Sequence, residues 1–321
     1  MKNDPIIIVS GEPNSIFLEL FFKTISLKKF KRPLILICSF KLLKLQMNKL
    51  NFKKKVKVID FLHLDTKHLN NNSINLIDIK YNQQLAFKKI SKSSKIYIEE
   101  CFNLAFKIIK SGTANKLING PISKKYFLDK KFLGVTEYIS KKNLINNYAM
   151  LIFNRKLSVC PITTHLPIKL VAKKINRSLI YNKVKLIDNF YRNYLKFKPR
   201  IAVTGLNPHC ESNLALNEDD VIIKPVIKIL KKQGFNISGP YPADTIFLRE
   251  NRKMFDVVVG MYHDQVLGPL KTLYEYDAIN ITLGLPFVRV SPDHGPNEKM
   301  IGKNLSNPLS LIRAISFLDK N

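Results

Sequence analysis

Short, almost uninterrupted runs of aliphatic and β-branched residues alternate in this sequence with longer amphipathic stretches. Runs of four to six consecutive apolar residues are typical of strands buried on both faces of a sheet. The predicted strands are 5–11, 33–39, 55–61, 115–120, 157–165, 200–209, 255–264 and 279–284. Alternation of such strands with helical stretches predicts an α/β protein with largely parallel sheets.

Helices are predicted where apolar residues recur at intervals of three and four. The predicted helices are 15–28, 94–112, 167–197, 218–234 and 308–320. In the second of these, Lys107 and Lys110 precede Gly112, a pattern typical of a helix C-terminus. The Asn- and Lys-rich segment 63–95 has the weakest pattern, and we expect it to form surface loop and edge structure.

The length of 321 residues predicts two domains, since one domain takes about 150 residues. No run approaches about 18 consecutive apolar residues, and we therefore expect no membrane span. The first apolar run, residues 6–9, is too short for a secretory signal. Four cysteines without a CxxC pair indicate free thiols and a cytoplasmic location: Cys38, Cys101, Cys160 and Cys210.

A formal net charge of +29 raises nucleic acid as a possible partner. The whole excess lies in residues 1–200, which hold 40 bases and 11 acids, whereas residues 201–321 hold 13 of each. Only nine of the 53 bases are Arg, the residue favoured for phosphate and base-edge recognition. We therefore predict a solvated, Lys-rich surface without nucleic-acid or membrane partners. A basic nucleic-acid-binding protein is the remote alternative, and it predicts salt-sensitive binding.

Three histidines share one context at the carboxyl ends of predicted strands, where open α/β sheets bind their ligands. His165 follows VCPITT, His209 follows VTGLNP and His263 follows VVVGMY. Three converging imidazoles suit a divalent metal such as zinc and leave positions open for a substrate. Their spacing alone supports a metal site and three hydrogen-bonded structural histidines about equally.

Further polar residues follow the same predicted strands. Asp244 lies in GPYPADT, and Asp264 follows His263 directly. Lys271 and Arg289 are suited to anchoring phosphate or carboxylate groups, with Asn280 between them in the sequence, although solvated bases and a turn Asn fit equally well. The sequence contains no GxGxxG, GxxxxGK[ST] or GxSxG motif, which removes the usual support for Rossmann, P-loop and hydrolase functions.

Taken together, these segments resemble the 4-hydroxythreonine-4-phosphate dehydrogenase family of pyridoxal phosphate biosynthesis. The resemblance covers nearly the whole chain in family order. It is carried by GEPNSIFLE (11–19), NGPISK (119–124), GVTEY (134–138), TTHLP (163–167), RIAVTGLNPHCES (200–212), GPYPADTIF (239–247), MYHDQVLGPLK (261–271), INITLGLPFVR (279–289) and SPDHG (291–295).

The resemblance implies two α/β/α domains like those of isocitrate and isopropylmalate dehydrogenases, with the active-site crevice between the domains at a dimer interface. We expect a terminal domain of residues 1–130 plus 291–321 and a central domain of residues 131–290 that carries the histidines. The family works as a homodimer with shared active sites. It binds NAD or NADP without the Rossmann glycines.

The resemblance also implies roles for single residues. The family's metal ligands, which hold Zn, Mg or Co, fall on His165, His209 and His263. Its substrate-binding positions fall on Val135, Thr136, Lys271, Asn280 and Arg289. The catalytic base is not assigned by the resemblance, and Asp244 and Asp264 are the candidates.

The activity implied is oxidation of 4-phosphooxy-L-threonine to 2-amino-3-oxo-4-phosphooxybutanoate. This product decarboxylates to 3-amino-2-oxopropyl phosphate on the route to pyridoxine 5'-phosphate. One position departs from the family, whose GHTE motif reads GVTE here, with Val135 replacing a substrate-binding His. Loss of a charge-assisted contact costs on the order of 1.5–3 kcal/mol of binding. Another four-carbon phosphorylated hydroxy acid is therefore the alternative substrate. Phosphate acyltransfer on a related fold is a further alternative, which the three histidines and the YHDQ motif disfavour.

Overall fold

The computed structural model describes residues 4–66, 68–129, 131–211, 216–292 and 295–320. The chain divides into two compact units: unit 1 comprises Met1–Val135 with Pro286–Asn321, and unit 2 comprises Thr136–Leu285. The chain passes from unit 1 to unit 2 after residue 135 and returns after residue 285, and each position differs by five residues from the predicted boundaries at 130 and 290. The chain returns to unit 1 before residue 290 because the strand that follows pairs within unit 1, where Arg289 lies opposite Leu117.

Helices and strands alternate along both units. The strands are β1 Ile6–Val9, β2 Leu34–Cys38, β3 Val56–Val58, β4 Ile74–Asp78, β5 Lys116–Asn119, β6 Ala149–Phe153, β7 Ser158–Thr163, β8 Ile201–Thr204, β9 Ile237–Tyr241, β10 Val257–Tyr262, β11 Ile279–Leu283 and β12 Val288–Pro292. The α-helices are α1 Phe17–Leu27, α2 Phe40–Lys49, α3 Lys95–Lys110, α4 Val135–Lys142, α5 Val171–Lys174, α6 Arg177–Phe190, α7 Lys224–Lys232, α8 Arg249–Arg252, α9 His263–Tyr274 and α10 Leu309–Lys320.

In unit 1 the strand order is β3-β4-β2-β1-β5-β12, and the pairings between these strands are parallel. All residues of β1, β2 and β5 are buried, which requires cover on both faces of the sheet. Helix α3 packs against β1 and β2, and α10 packs against β1, β5 and β12.

In unit 2 the strand order is β11-β6-β7-β10-β8-β9. The pairs β7–β10, β10–β8 and β8–β9 are parallel, whereas β11–β6 and β6–β7 are antiparallel. The core of this unit joins β6, β7, β8 and β10 to the apolar face of α9, which contributes Val266, Leu267 and Leu270. The first turn of α9 is therefore fixed against the ends of β7 and β10.

The eight predicted strands and the α/β class with largely parallel sheets are confirmed. The interpretation of 63–95 as surface loop and edge was wrong in part, because β4 lies inside the sheet between β3 and β2. All four cysteines are buried and free. In the described ranges, no helix combines the length and apolar character that a membrane crossing requires.

Candidate metal and substrate site

Two of the three predicted metal ligands lie side by side in unit 2. Strands β7 and β10 are parallel neighbours whose last residues, Thr163 and Tyr262, are register partners. The chain therefore delivers His165 and His263 to the same sheet edge, and their ring centroids are 5.7 Å apart. Two imidazoles bound tetrahedrally to one zinc, with nitrogens about 2 Å from the metal, have centroids about 5 Å apart. The pair therefore fits two ligands of one divalent ion.

His263 is the first residue of α9, although the sequence pattern placed it inside a strand. The side chain of Gln265 anchors this turn to the end of β8. Its Oε1 accepts hydrogen bonds from the N–H of Met261 at 2.7 Å and from Thr204 Oγ1 at 2.9 Å, and its Nε2 donates to the carbonyl of Gly205 at 2.8 Å. These three contacts hold the β8 and β10 ends together, and they escaped the sequence analysis.

The third predicted ligand, His209, lies on an exposed turn with a left-handed backbone, φ 56°. The buried carboxylate of Asp219 braces the chain just before it, accepting hydrogen bonds from the N–H groups of Leu206 and Asn207 at 2.9 and 3.0 Å. Within the described ranges, no three His, Cys, Asp or Glu side chains form a group that could hold a metal ion. The structure therefore brings two of the three histidines together, and the role of His209 stays a prediction.

Glu137 lies beside this histidine pair and was not among the predicted site residues. Its Oε1 accepts a hydrogen bond from Thr164 Oγ1 at 2.9 Å and lies 3.5 Å from His165 Nδ1. Burial raises the pKa of this carboxyl group, but the approach of His165 and hydrogen bonds from its own backbone N–H and from Thr164 outweigh burial and hold the pKa below its usual value. Glu137 is therefore an ionised carboxylate next to a predicted metal ligand.

A second residue that the sequence analysis missed is Lys183, which is buried on α6. Its Nζ donates to the carbonyl of Tyr148 at 3.1 Å. Burial lowers the pKa of Lys183, whereas the nearby Cys160 and Glu137 act in the opposite direction. Burial raises the pKa of the Cys160 thiol to about 11. The amino group of Lys183 thus lies in the surroundings of Glu137.

Two predicted substrate residues lie close together on β11 and α4. Asn280 and Thr282 are two residues apart on β11 and share one face of the sheet. Thr136 is buried, and its Oγ1 lies 3.5 Å from Thr282 Oγ1. Asn280 Oδ1 is buried and makes no hydrogen bond within the part of the chain that the structure describes. An unused buried acceptor of this kind suits a substrate N–H or O–H group.

The remaining predicted residues of unit 2 lie along α9 and after β9. Lys271 is half-buried in the last turn of α9, about 12 Å along the helix axis from His263. This distance suits a contact with the far end of a substrate. Of the two candidate bases, Asp264 is mostly exposed and contacts His263 Nδ1 at 2.6 Å, whereas Asp244 is exposed in the turn after β9.

Val135 and Arg289 belong to unit 1. Val135 is the half-buried first residue of α4. Arg289 is buried on β12, where its Nε donates to Asn119 Oδ1 at 2.7 Å. This contact joins the NGPISK segment to the end of the INITLGLPFVR segment within unit 1. Asp293 and His294 of the SPDHG segment lie outside the described residues.

The fold and these contacts define a class, the two-unit α/β proteins that gather imidazole and carboxylate groups at the carboxyl ends of parallel strands. The chain belongs to the family described as "Pyridoxal phosphate biosynthetic protein PdxA", whose profile matches residues 29–318. A 4-hydroxythreonine-4-phosphate dehydrogenase of Sulfurihydrogenibium sp. (strain YO3AOP1) is 41% identical over 246 residues, which are 75% of this chain and 74% of that protein. A D-threonate 4-phosphate dehydrogenase of Pectobacterium atrosepticum is 33% identical over 75% of this chain and 76% of its own length.

Solved structures agree with this assignment. The crystal structure of a 4-hydroxythreonine-4-phosphate dehydrogenase from Klebsiella pneumoniae is similar with a TM-score of 0.83 at 27% identity, over 98% of both chains. A β-decarboxylating dehydrogenase from Thermococcus kodakarensis is similar with a TM-score of 0.54 at 12% identity, over 98% of this chain and 82% of its own. That likeness shows the fold alone, and it confirms the dehydrogenase-like architecture that the resemblance implied.

Proposed function

We propose that this protein is an NAD(P)-dependent and divalent-metal-dependent dehydrogenase that oxidises 4-phosphooxy-L-threonine. The observation that carries the proposal is the pairing of His165 with His263 at adjacent strand ends, in a chain of this family. Imidazole pairs of this geometry suit a borderline ion such as zinc, with cobalt and magnesium as alternatives. His209 would complete the ligand set.

A divalent ion held by these histidines would act as a Lewis acid and lower the pKa of the substrate hydroxyl. The residues of the chain bind and orient the substrate. Asn280 offers its unused Oδ1, and Thr136 contributes a hydroxyl group on the same sheet face. Lys271, near the far end of α9, would pair with an anionic group, and Arg289 is the second proposed anion anchor.

The reaction removes the hydroxyl proton and transfers the hydride of the carbinol carbon to the oxidised nicotinamide, which leaves a ketone. The proton acceptor is Asp244 or Asp264 in this proposal. The product, 2-amino-3-oxo-4-phosphooxybutanoate, is a β-keto acid and loses CO2 to give 3-amino-2-oxopropyl phosphate. This sequence serves the synthesis of pyridoxine 5'-phosphate. We further propose a cytoplasmic location, because the substrate and the nicotinamide cofactor are charged metabolites. The homodimer with shared active sites is proposed on the family resemblance.

A related four-carbon substrate is the second candidate. Val135 cannot make the hydrogen bond or carry the charge of the family's histidine. The Pectobacterium relative is named for D-threonate 4-phosphate, which keeps the phosphate and lacks the amine. A valine at this position is compatible with either acid, since it contributes no polar contact that would select between them.

The experiment is a nicotinamide-reduction assay of the whole protein with both substrates, both cofactors and added Zn, Co or Mg. We expect kcat/KM to be highest with 4-phosphooxy-L-threonine. The matched controls are His263→Ala, which should abolish turnover, and His63→Ala, which alters an exposed histidine of unit 1 and should not. A higher kcat/KM with D-threonate 4-phosphate would make that acid the substrate in place of 4-phosphooxy-L-threonine. An absence of turnover with every acid would refute the proposed activity.

A further inference from the structure

The mostly buried carboxylate of Glu137 has no role in the substrate chemistry described above, and its contacts indicate one. We propose that Glu137 is a positioning residue that holds the His165 ring with its hydrogen on Nδ1 and its lone pair on Nε2. The inference rests on the proposed metal site, because a lone pair fixed on Nε2 is what a metal ligand requires.

The contacts of His165 favour this tautomer. His165 Nδ1 is buried, and it makes no hydrogen bond of ordinary length within the described ranges. Its carboxylate neighbour is Glu137 Oε1 at 3.5 Å. A charge-assisted N–H···O bond is about 2.7–2.9 Å long, and a side-chain shift of less than about 1 Å would therefore complete it. A hydrogen on Nδ1 gains an anionic acceptor there, whereas a lone pair on Nδ1 would face the carboxylate and be repelled.

Thr164 also holds the carboxylate in place. Its hydroxyl donates to Glu137 Oε1 at 2.9 Å, and Thr164 adjoins His165 in the chain. The second oxygen, Oε2, is buried without a hydrogen bond in the described part of the chain. A buried carboxylate with an unused oxygen is costly to a fold unless it interacts with another polar group. A hydrogen on His165 Nδ1 would give this carboxylate a second side-chain donor at Oε1, beside the Thr164 hydroxyl.

The neighbouring histidine is arranged in the same way. His263 Nδ1 contacts Asp264 Oδ1 at 2.6 Å, so that each ring of the pair turns Nδ1 toward a carboxylate. Both Nε2 atoms are then left as the coordinating nitrogens. Glu137 is much less exposed than Asp264, with a side chain 11% exposed against 89%. Because water competes little at a buried site, Glu137 should have the larger influence on its ring.

The test is ¹⁵N NMR of the histidine rings in the metal-free full-length protein, with His165 assigned from a His165→Gln spectrum. The spectra are recorded at a pH above which the ring signals no longer change, where the two nitrogens of a neutral ring give separate signals. We expect the wild type to carry its hydrogen on Nδ1 of His165. In Glu137→Gln, whose amide can donate to Nδ1, the Nε2-protonated form should become substantially populated.

Metal affinity gives the second readout, by competition with a chromophoric zinc chelator. Glu137→Gln should bind zinc about 10–100-fold more weakly, the usual cost of losing a carboxylate behind a ligating histidine. Thr164→Val should shift both readouts in the same direction by less, and Glu137→Asp should partly restore them. The matched control is Glu250→Gln, an exposed glutamate paired with Lys253, which should change neither.

Two results would overturn the inference: a wild-type His165 protonated on Nε2, or a Glu137→Gln protein with unchanged tautomer and zinc affinity. Neither readout depends on turnover. If the protein proves inactive with every substrate while the tautomer shifts as expected, the proposed function fails and the positioning role stands. If turnover is found and the tautomer does not shift, the proposed function stands and the positioning role fails.

Discussion

The rings of His165 and His263 lie with centroids 5.7 Å apart and planes inclined by 38°, although the two residues follow different strands. Their proximity follows from the parallel pairing of β7 with β10, which aligns Thr163 with Tyr262. Each ring also contacts a carboxylate through Nδ1. A pair prepared in this way is suited to bind a divalent ion through the two remaining nitrogens.

The first prediction concerns Val135, which stands where the family has a substrate-binding histidine. In Val135→His we expect KM for 4-phosphooxy-L-threonine to fall by about tenfold, equivalent to about 1.4 kcal/mol, with kcat nearly constant. The reason is that the substrate phosphate keeps its charge throughout hydride transfer, so the added contact stabilises ground and transition states equally. Val135→Leu is the control and should leave both constants unchanged. A lower activity of Val135→His, together with a wild-type preference for another acid, would contradict the named substrate.

Gln265 tests how the turn before α9 is held. Gln265→Ala leaves the N–H of Met261, the hydroxyl of Thr204 and the carbonyl of Gly205 without this partner. We expect a loss of about 2–3 kcal/mol in the free energy of unfolding, measured with urea. The exposed Gln233→Ala, which removes a contact with Tyr181, should stay within about 0.5 kcal/mol. Equal losses in the two variants would show that Gln265 does not anchor the turn.

Much of the fold was predictable because buried parallel strands leave a plain apolar signal. Four strands were not predicted: β4, β6, β9 and β12. Two of them have weaker signals, since β9 contains Gly239 and Pro240, and β4 lies in a polar, Asn-rich surrounding. Helix α9 was missed because its first residues, His263 and Asp264, directly continue the apolar run of β10. Tertiary packing determines where these strands and helices begin and end, and the local sequence pattern carries no information about that packing.

The site was predictable only as a set of residue types at strand ends. Sequence spacing cannot show that Glu137 faces His165, because that contact joins α4 to the end of β7. For Lys183 a signal was present: it shares the apolar stripe of α6 with Ile180, Val184 and Ile187, and a charged residue in such a stripe is buried with it. Sequence alone could not show that Arg289 belongs to unit 1, because this follows from the pairing of β12 with β5.

Glu12 gives a prediction about pH. It is buried in the turn after β1, where it accepts hydrogen bonds from the N–H of Asn14 at 3.2 Å and from Ser94 Oγ at 2.9 Å. Burial raises the pKa of Glu12 above its ordinary value of 4.5, although both hydrogen bonds oppose the shift. The stability linked to its proton is fully present below pH 4.5 and is lost as the pH rises through the folded-state pKa.

Glu12→Gln removes this titration while its amide keeps the same shape. We therefore expect the variant to gain stability relative to the wild type as the pH is raised from about 4 to about 7, measured by urea unfolding at each pH. Glu100→Gln on α3, an exposed position, is the control for removing one carboxylate. A stability difference that moves the other way with pH would contradict a raised pKa for Glu12.

The proposed homodimer predicts a mass of twice the 37.0 kDa chain by light scattering at micromolar concentration. It also predicts complementation. His209→Ala and Lys271→Ala chains, each inactive alone, should regain partial activity when mixed if these residues serve one site from opposite subunits. A monomer would contradict the shared active site, and a dimer without complementation would place both residues in the same subunit's site.

Anomalous diffraction at the zinc edge tests the proposed metal site most directly. For crystals of the whole protein grown with zinc, we predict one strong peak about 2 Å from the Nε2 atoms of both His165 and His263, with His209 as the third ligand. A peak that contacts neither His165 nor His263, or the absence of any bound zinc at these residues, would contradict the account.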